Sequence, residues 1–218
     1  MDLRASLAAL RSACPAIWIE YTMPSDIDPD SGFRLPLPKR EDLDDVGKKH
    51  YDLAVKPGGR SIVGLRGPAG IRLYSPKSLE HSQGLNRYLR FEAGFTPAVR
   101  EIAILATARE MDSQFEWAAH EPEALKEGVS PAVIDIIKHR KTTDGLGETE
   151  AVVIELGRQL FRDRKVTPEL FARAKALFGA NQLVDLVLLI GTYASTAVLL
   201  TVFDMQLPPG QEPLLPVP

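Results

Sequence analysis

An all-α fold follows from three observations. Serine or threonine stands directly before proline at Thr96-Pro97, Ser130-Pro131 and Thr167-Pro168. A hydroxyl side chain suits the N-cap, and a proline suits the first helical turn, where its missing N–H costs nothing. No stretch of the 218-residue chain alternates polar and apolar residues for long enough to require a strand. From Ser78 onward, Gly94, Gly128 and Gly179 end successive helix-compatible runs.

The elements follow in order. Residues 1–33 show little periodicity and end in the turn-rich PSDIDPDSG, so they read as an arm or cap. The extended LPLP then leads into a helix over about 40–55. KPGGRSIVGLRGPAGIRLYSP is dense in Gly and Pro and is expected to be irregular, with no helix opening there. It lacks the Gly-Lys-Ser/Thr of a phosphate loop, which leaves a surface or subunit-contact loop. Helices follow over about 78–93 and 97–111. Ser113 can cap the next helix, and Glu116 at its third position completes a capping-box pattern. Pro122 sits where it would break or kink that helix, giving two short helices that end at Gly128. Ser130-Pro131 opens another, and the DGLG turn separates it from a helix over about 148–163. Thr167-Pro168 opens one that closes at Gly179, and an apolar helix over 181–204 completes the set. The chain thus divides into an arm with one helix, 1–60, and a helical domain, 61–218.

With 44% hydrophobic and 25% charged residues, the composition is that of an ordinary globular chain. The net charge of −3 and pI near 5.9 give no electrostatic reason to expect nucleic acid or an anionic membrane as partner. The single cysteine, Cys14, excludes an intrachain disulfide and a two-cysteine redox motif, and suits a reducing compartment. Arg4 and Arg11 interrupt the apolar start MDLRASLAALRSACPA, and Asp2 opposes a basic leader, so a cytoplasmic location is expected. LVLLIGTYASTAVLLTVF, residues 186–203, reaches the lower edge of a membrane span. It carries Gly191, Thr192, Ser195, Thr196 and Thr201, and is bracketed by Asp185 and Asp204 rather than Lys or Arg. A buried core or subunit-interface helix is expected there, and with it a homo-oligomer.

Two stretches carry the candidate chemistry. In QFEWAAHEPEALKEGVS, Glu116 and His120 stand four apart and so share one helix face. In PAVREIAILATARE, the helical neighbours of Glu101 are Ala98, Ile104, Leu105 and Ala108, all apolar. An unpaired buried carboxylate costs several kcal/mol, so Glu101 is expected to be paired, protonated or functional. A structural ion pair with Arg100 or Arg109 is the bland alternative. The same holds for the others: Ser113 and Glu116 as a capping box, His120 as an ordinary helix histidine, Trp117 as core. His81, in LEHSQGLNRYL, is a further candidate for the substrate site, against a solvated helix face.

The order Glu101, Ser113, Glu116, His120, with gaps of twelve, three and four, resembles the carboxymuconolactone decarboxylase family, which includes the alkylhydroperoxidase D-like proteins. In that family a helix bearing Arg-Glu leads to a second helix whose signature ends in His, followed by a small-residue turn. Arg100-Glu101, His120 and Gly128-Val129-Ser130 stand at those places. The resemblance covers roughly residues 70–205 and leaves 1–60 outside. It implies a helical bundle of the alkylhydroperoxidase D-like type, and a homo-oligomer with sites near subunit contacts. In the peroxidase branch, cysteines stand where this chain has Ser113 and Glu116. A serine forms no peroxide-attacking thiolate and a carboxylate resolves no disulfide, so thiol peroxidase chemistry is not expected. The decarboxylase branch works without that pair and without cofactors, and is the nearer relative.

The expected function is therefore a cofactor-free lyase or isomerase acting on a small carboxylated lactone or keto acid. His120 transfers the proton, Glu101 orients the imidazole or passes the proton on, and Glu116 is the second acid/base, raised by proximity to Glu101. Arg109 is the nearest candidate to hold a substrate carboxylate, with Ser113, Trp117 and His81 as further substrate contacts. Two rival readings stand beside it. Two glutamates and a histidine could ligate a metal, although no second histidine supports this. Alternatively, the chain is a non-catalytic all-α oligomer.

Overall fold

A computed structural model describes residues 23–57 and 62–216. The expectations for Cys14, for the Asp2, Arg4 and Arg11 pattern and for the first part of the arm lie outside the described residues, as do residues 58–61. Among the described residues there are eight α-helices and no strand. They are α1 Asp45–Val55, α2 Pro68–Arg72, α3 Pro76–Phe91, α4 Pro97–Glu110, α5 Gln114–Lys126, α6 Pro131–Lys138, α7 Glu148–Arg158 and α8 Pro168–Val202.

The three hydroxyl-proline pairs start helices as their chemistry dictates. Thr96, Ser130 and Thr167 accept hydrogen bonds from the N–H groups of Val99, Val133 and Leu170 at 3.2, 3.3 and 3.3 Å. Asp44 does the same for α1, accepting from Gly47 at 2.7 Å. Gly94 and Gly128 adopt positive φ just past the ends of α3 and α5. Gly179, at φ 67°, halts α8, but the helix restarts at once, so 168–202 form a kinked pair instead of two separated helices.

Helix α4 is the centre of the bundle, with every residue from Arg100 to Arg109 buried. It packs against α5, α6, α7 and α8, which is why its sequence is small and apolar all round instead of striped. Gly157 lets α7 come close, since a Cβ there would lie 3.2 Å from that of Ala106. Helix α8 is long and apolar enough to cross a membrane by length and composition. Leu186, Leu189, Ile190 and Ala197 nonetheless bury one side of it in the protein.

Two local expectations are corrected. Helix α5 runs through Pro122 without a break. The ring removes one backbone bond, while Phe115, Trp117 and Ala124, buried on either side, anchor both halves in the protein. The Gly/Pro-rich segment also opens a helix, the five-residue α2. There Gly70 has a steric duty: a Cβ on it would sit 2.1 Å from the Leu65 carbonyl oxygen.

The described part of the arm is packed. Phe33, Ile71, Phe115 and Leu200 form a second small core. Backbone bonds from Arg34 to Phe203 (2.9 Å) and from Gln206 to Gly32 (2.8 Å) tie the arm to the end of α8.

Candidate acid-base site

Glu101 comes from the first half of α4, and Glu116 and His120 from successive turns of α5, whose face meets α4. Their exposures are 1%, 4% and 5%, so the three polar side chains lie inside the protein. His120 Nδ1 is 2.8 Å from Glu101 Oε2, and Arg100 Nε donates to Glu101 Oε1 at 3.0 Å. Arg100 is itself held by the Arg90 carbonyl at 3.1 Å and lies 3.6 Å from Glu127. The other imidazole nitrogen, Nε2, lies 4.0 Å from Glu116 Oε2. That carboxyl oxygen is buried with no hydrogen-bond partner. Tyr193 of α8 closes the cluster, its ring edge-on to His120 with centroids 5.3 Å apart. Next to it, Arg72 donates to the Thr196 hydroxyl at 2.7 Å, and that hydroxyl donates to the Thr192 carbonyl.

The two carboxyls are driven in opposite directions. Burial pushes Glu101 up, but its hydrogen bonds and charge contacts with His120 and Arg100 outweigh this and hold it below its ordinary 4.5. Burial pushes Glu116 up, and the charges of His120, Arg72 and Arg90 offset this only in part. Repulsion from Glu101, which the sequence offers as the cause, is the smallest contribution at Glu116. Burial likewise raises the Tyr193 phenol, keeping it neutral. Glu101 holds the imidazole through Nδ1 and leaves Nε2 turned toward Glu116, whose carboxyl burial biases toward its protonated form.

The remaining sequence candidates are placed elsewhere. Ser113 is the N-cap of α5, but its side chain makes no capping bond. The capping box does not form, because the Ser113 N–H is already bonded to the Ala108 carbonyl at 2.8 Å and Glu116 turns inward. Trp117 is fully buried in the main core, donating to Glu121 at 2.6 Å. Arg109 does not reach the cluster. It lies eight residues beyond Glu101, about 12 Å along the helix at ~1.5 Å per residue. Its guanidinium is engaged by Asp112 and by the carbonyls of Lys138 (2.7 Å) and Pro216 (3.1 Å). His81 is exposed on α3.

Sequence reasoning passed over Arg72, Arg90, Tyr193 and Thr196. Tyr193 and Thr196 carried a signal, being polar groups three apart on one helix face, but Thr196 reads only as evidence against a membrane span. Two surface clefts of about 200 and 250 Å³ are lined by Phe115, Ala118 and Pro122, and by Leu125, Ile134 and Lys138, among others. Neither is lined by Glu101, Glu116 or His120, which lie buried inside the bundle. No group of three or more His, Cys, Asp or Glu suited to a metal occurs among the described residues. Glu101 is committed to His120 Nδ1 and Arg100, which leaves His120 Nε2 and Glu116 as the available donors.

No match is found among curated proteins. The profile of the carboxymuconolactone decarboxylase family matches residues 76–156, a narrower span than the sequence resemblance, running from α3 into α7 and excluding α2 and α8. The matched segment, which holds Glu101, Glu116 and His120, is similar to the carboxymuconolactone decarboxylase family over this span.

Proposed function

We propose that the protein is a cofactor-independent lyase or isomerase of the decarboxylase-like kind, acting on a small carboxylated lactone or keto acid. The observation that carries this reading is the placement of His120 between Glu101, held below its ordinary carboxylate range, and Glu116, pushed above it by burial. Loss of carbon dioxide from a keto acid leaves an enolate that must be protonated, and isomerisation of a lactone moves a proton between carbons. Both need an acid and a base a few ångströms apart. The 4.0 Å between Nε2 and Oε2 is too long for a direct hydrogen bond. An atom at ~2.8 Å from both would subtend about 90° there, which suits a substrate oxygen or carbon shuttling one proton. His120 accepts, Glu116 delivers, and Glu101 with Arg100 holds the imidazole in register.

The family includes peroxidases as well as decarboxylases, and the composition supports the second branch. The chain has one cysteine, Cys14, outside the family segment, so no cysteine pair stands at 113 and 116. Incubating the purified protein with a panel of β-keto acids and carboxylated lactones, in the presence of a chelator, tests the reading. Carbon dioxide release or double-bond migration above the buffer rate is expected. Hydroperoxide reduction without turnover of any panel member would reject it.

We further propose a homo-oligomer built on α8. Val184, Leu188, Gly191, Ser195, Val198 and Val202 are exposed and follow one another at spacings of four and three. This is the seam of a paired helix, and Gly191 has open space where a Cβ would be. A second copy presenting the same stripe supplies the matching surface.

A further inference from the structure

We infer that Arg72 and Arg90 form an anion-binding entrance to the Glu116–His120 cluster, built for the carboxylate of a small organic acid. This rests on the acid-base reading of the cluster and assigns the anion to residues that neither the sequence motif nor the family segment singles out. Arg72 lies outside that segment.

The charges around the cluster do not balance. Glu101 is matched by Arg100, which also lies near Glu127. Arg72 and Arg90 have no such match, because neither makes an ion pair among the described residues. Among the described residues, the one hydrogen bond of the Arg72 guanidinium goes to a neutral hydroxyl, that of Thr196 at 2.7 Å. The Nε of Arg90 is buried with no acceptor, and its guanidinium lies 5.0 Å from the centroid of the Phe91 ring. Guanidinium groups removed from water call for a counter-charge, and an unsatisfied buried donor costs ~1–3 kcal/mol. Both arginines act on the Glu116 carboxyl, but burial biases that group toward its neutral form. Two guanidinium groups without an ion pair among the described residues therefore stand beside the cluster.

Position adds a second, independent reason. Glu101, Glu116 and His120 are closed off, whereas Arg72 at the end of α2 and Arg90 near the end of α3 are each partly exposed. They connect solvent to the reacting pair. A carboxylate fits the flat guanidinium fork, and a monoanion held there places its adjoining carbons toward Nε2 of His120 and Oε2 of Glu116. In a decarboxylation or lactone isomerisation, this would anchor a carboxylate that is not lost, while Glu116 stays free to deliver its proton.

Binding of acetate and benzoate, read as ligand-dependent thermal stabilisation of the intact protein, tests the assignment with acetamide and benzamide as neutral controls. Saturable stabilisation by carboxylate and none by amide is expected. Arg90→Met should weaken it at least ~10-fold, the loss of one charge-assisted hydrogen bond, while Arg90→Lys recovers part of it. Arg72→Lys keeps the charge and loses the fork, so it should weaken binding with the fold retained by circular dichroism. His120→Ala should bind carboxylate as tightly as the wild type, which separates failure of the entrance from failure of the acid-base reading. Equal stabilisation by acid and amide, undiminished binding in Arg90→Met, or preference for inorganic phosphate over either carboxylate would overturn the assignment.

Discussion

His120 Nδ1 lies 2.8 Å from Glu101 Oε2 in the interior of the bundle, so one helix orients an imidazole carried by another. The imidazole is held on its far side while its near side meets Glu116. This arrangement makes the role of each glutamate separable by experiment.

Glu101→Gln should destabilise the fold by about 3 kcal/mol at neutral pH, because it leaves the buried Arg100 and His120 without their anion. Glu101 is held below its ordinary 4.5, so its contribution is present above that value and fades as pH falls through the lower native one. Urea unfolding of both proteins at several pH values checks this. The stability gap should narrow on acidification, and a gap independent of pH would contradict the pairing.

Glu116→Gln should show the opposite trend. The native carboxyl is raised above 4.5, so the folded state holds a proton that the unfolded state releases. Stability from this group is complete below 4.5 and declines as pH rises to the native value. The variant, which cannot ionise, should gain on the wild type over that range. A wild type that gains on Glu116→Gln as pH rises would mean the carboxylate is ionised and paired.

Two glycine substitutions should differ in sign. Gly70→Ala puts a Cβ 2.1 Å from the Leu65 carbonyl and should cost about 2 kcal/mol by shifting α2 and the Arg72 it carries. Gly84→Ala, in α3 with nothing within 4 Å, should stabilise by about 0.5–1 kcal/mol. Thermal unfolding of both variants decides the matter.

Leu188→Glu or Val198→Glu should convert an oligomer to monomer with unchanged helix content, since each puts a charge on the exposed seam of α8. Light scattering at micromolar concentration is the readout. A wild type that is itself monomeric there would remove the oligomer from the account.

Much of this organisation is legible in the sequence because its signals are local. Thr96-Pro97 and Ser130-Pro131 state both a cap and a first-turn residue, and Glu101 among alanines and leucines announces a buried charge. What stays hidden depends on distant packing. Arg109 and Arg72 are alike as isolated arginines. Only the docking of the C-terminal tail, through Pro216, and the steric demand of Gly70 send one to a structural joint and the other to the cluster. Pro122 misleads for the same reason, since burial on both sides of it outweighs the lost backbone bond.

The most direct measurement is the turnover of a confirmed substrate by His120→Ala and Glu116→Gln in deuterated buffer, following both product and deuterium incorporation at the reacting carbon. The account predicts that each variant keeps its helix content and loses about 10²- to 10⁴-fold in rate, the usual worth of a positioned acid or base. It also predicts that deuterium enters the wild-type product at a single carbon. Wild-type rates in both variants would contradict it.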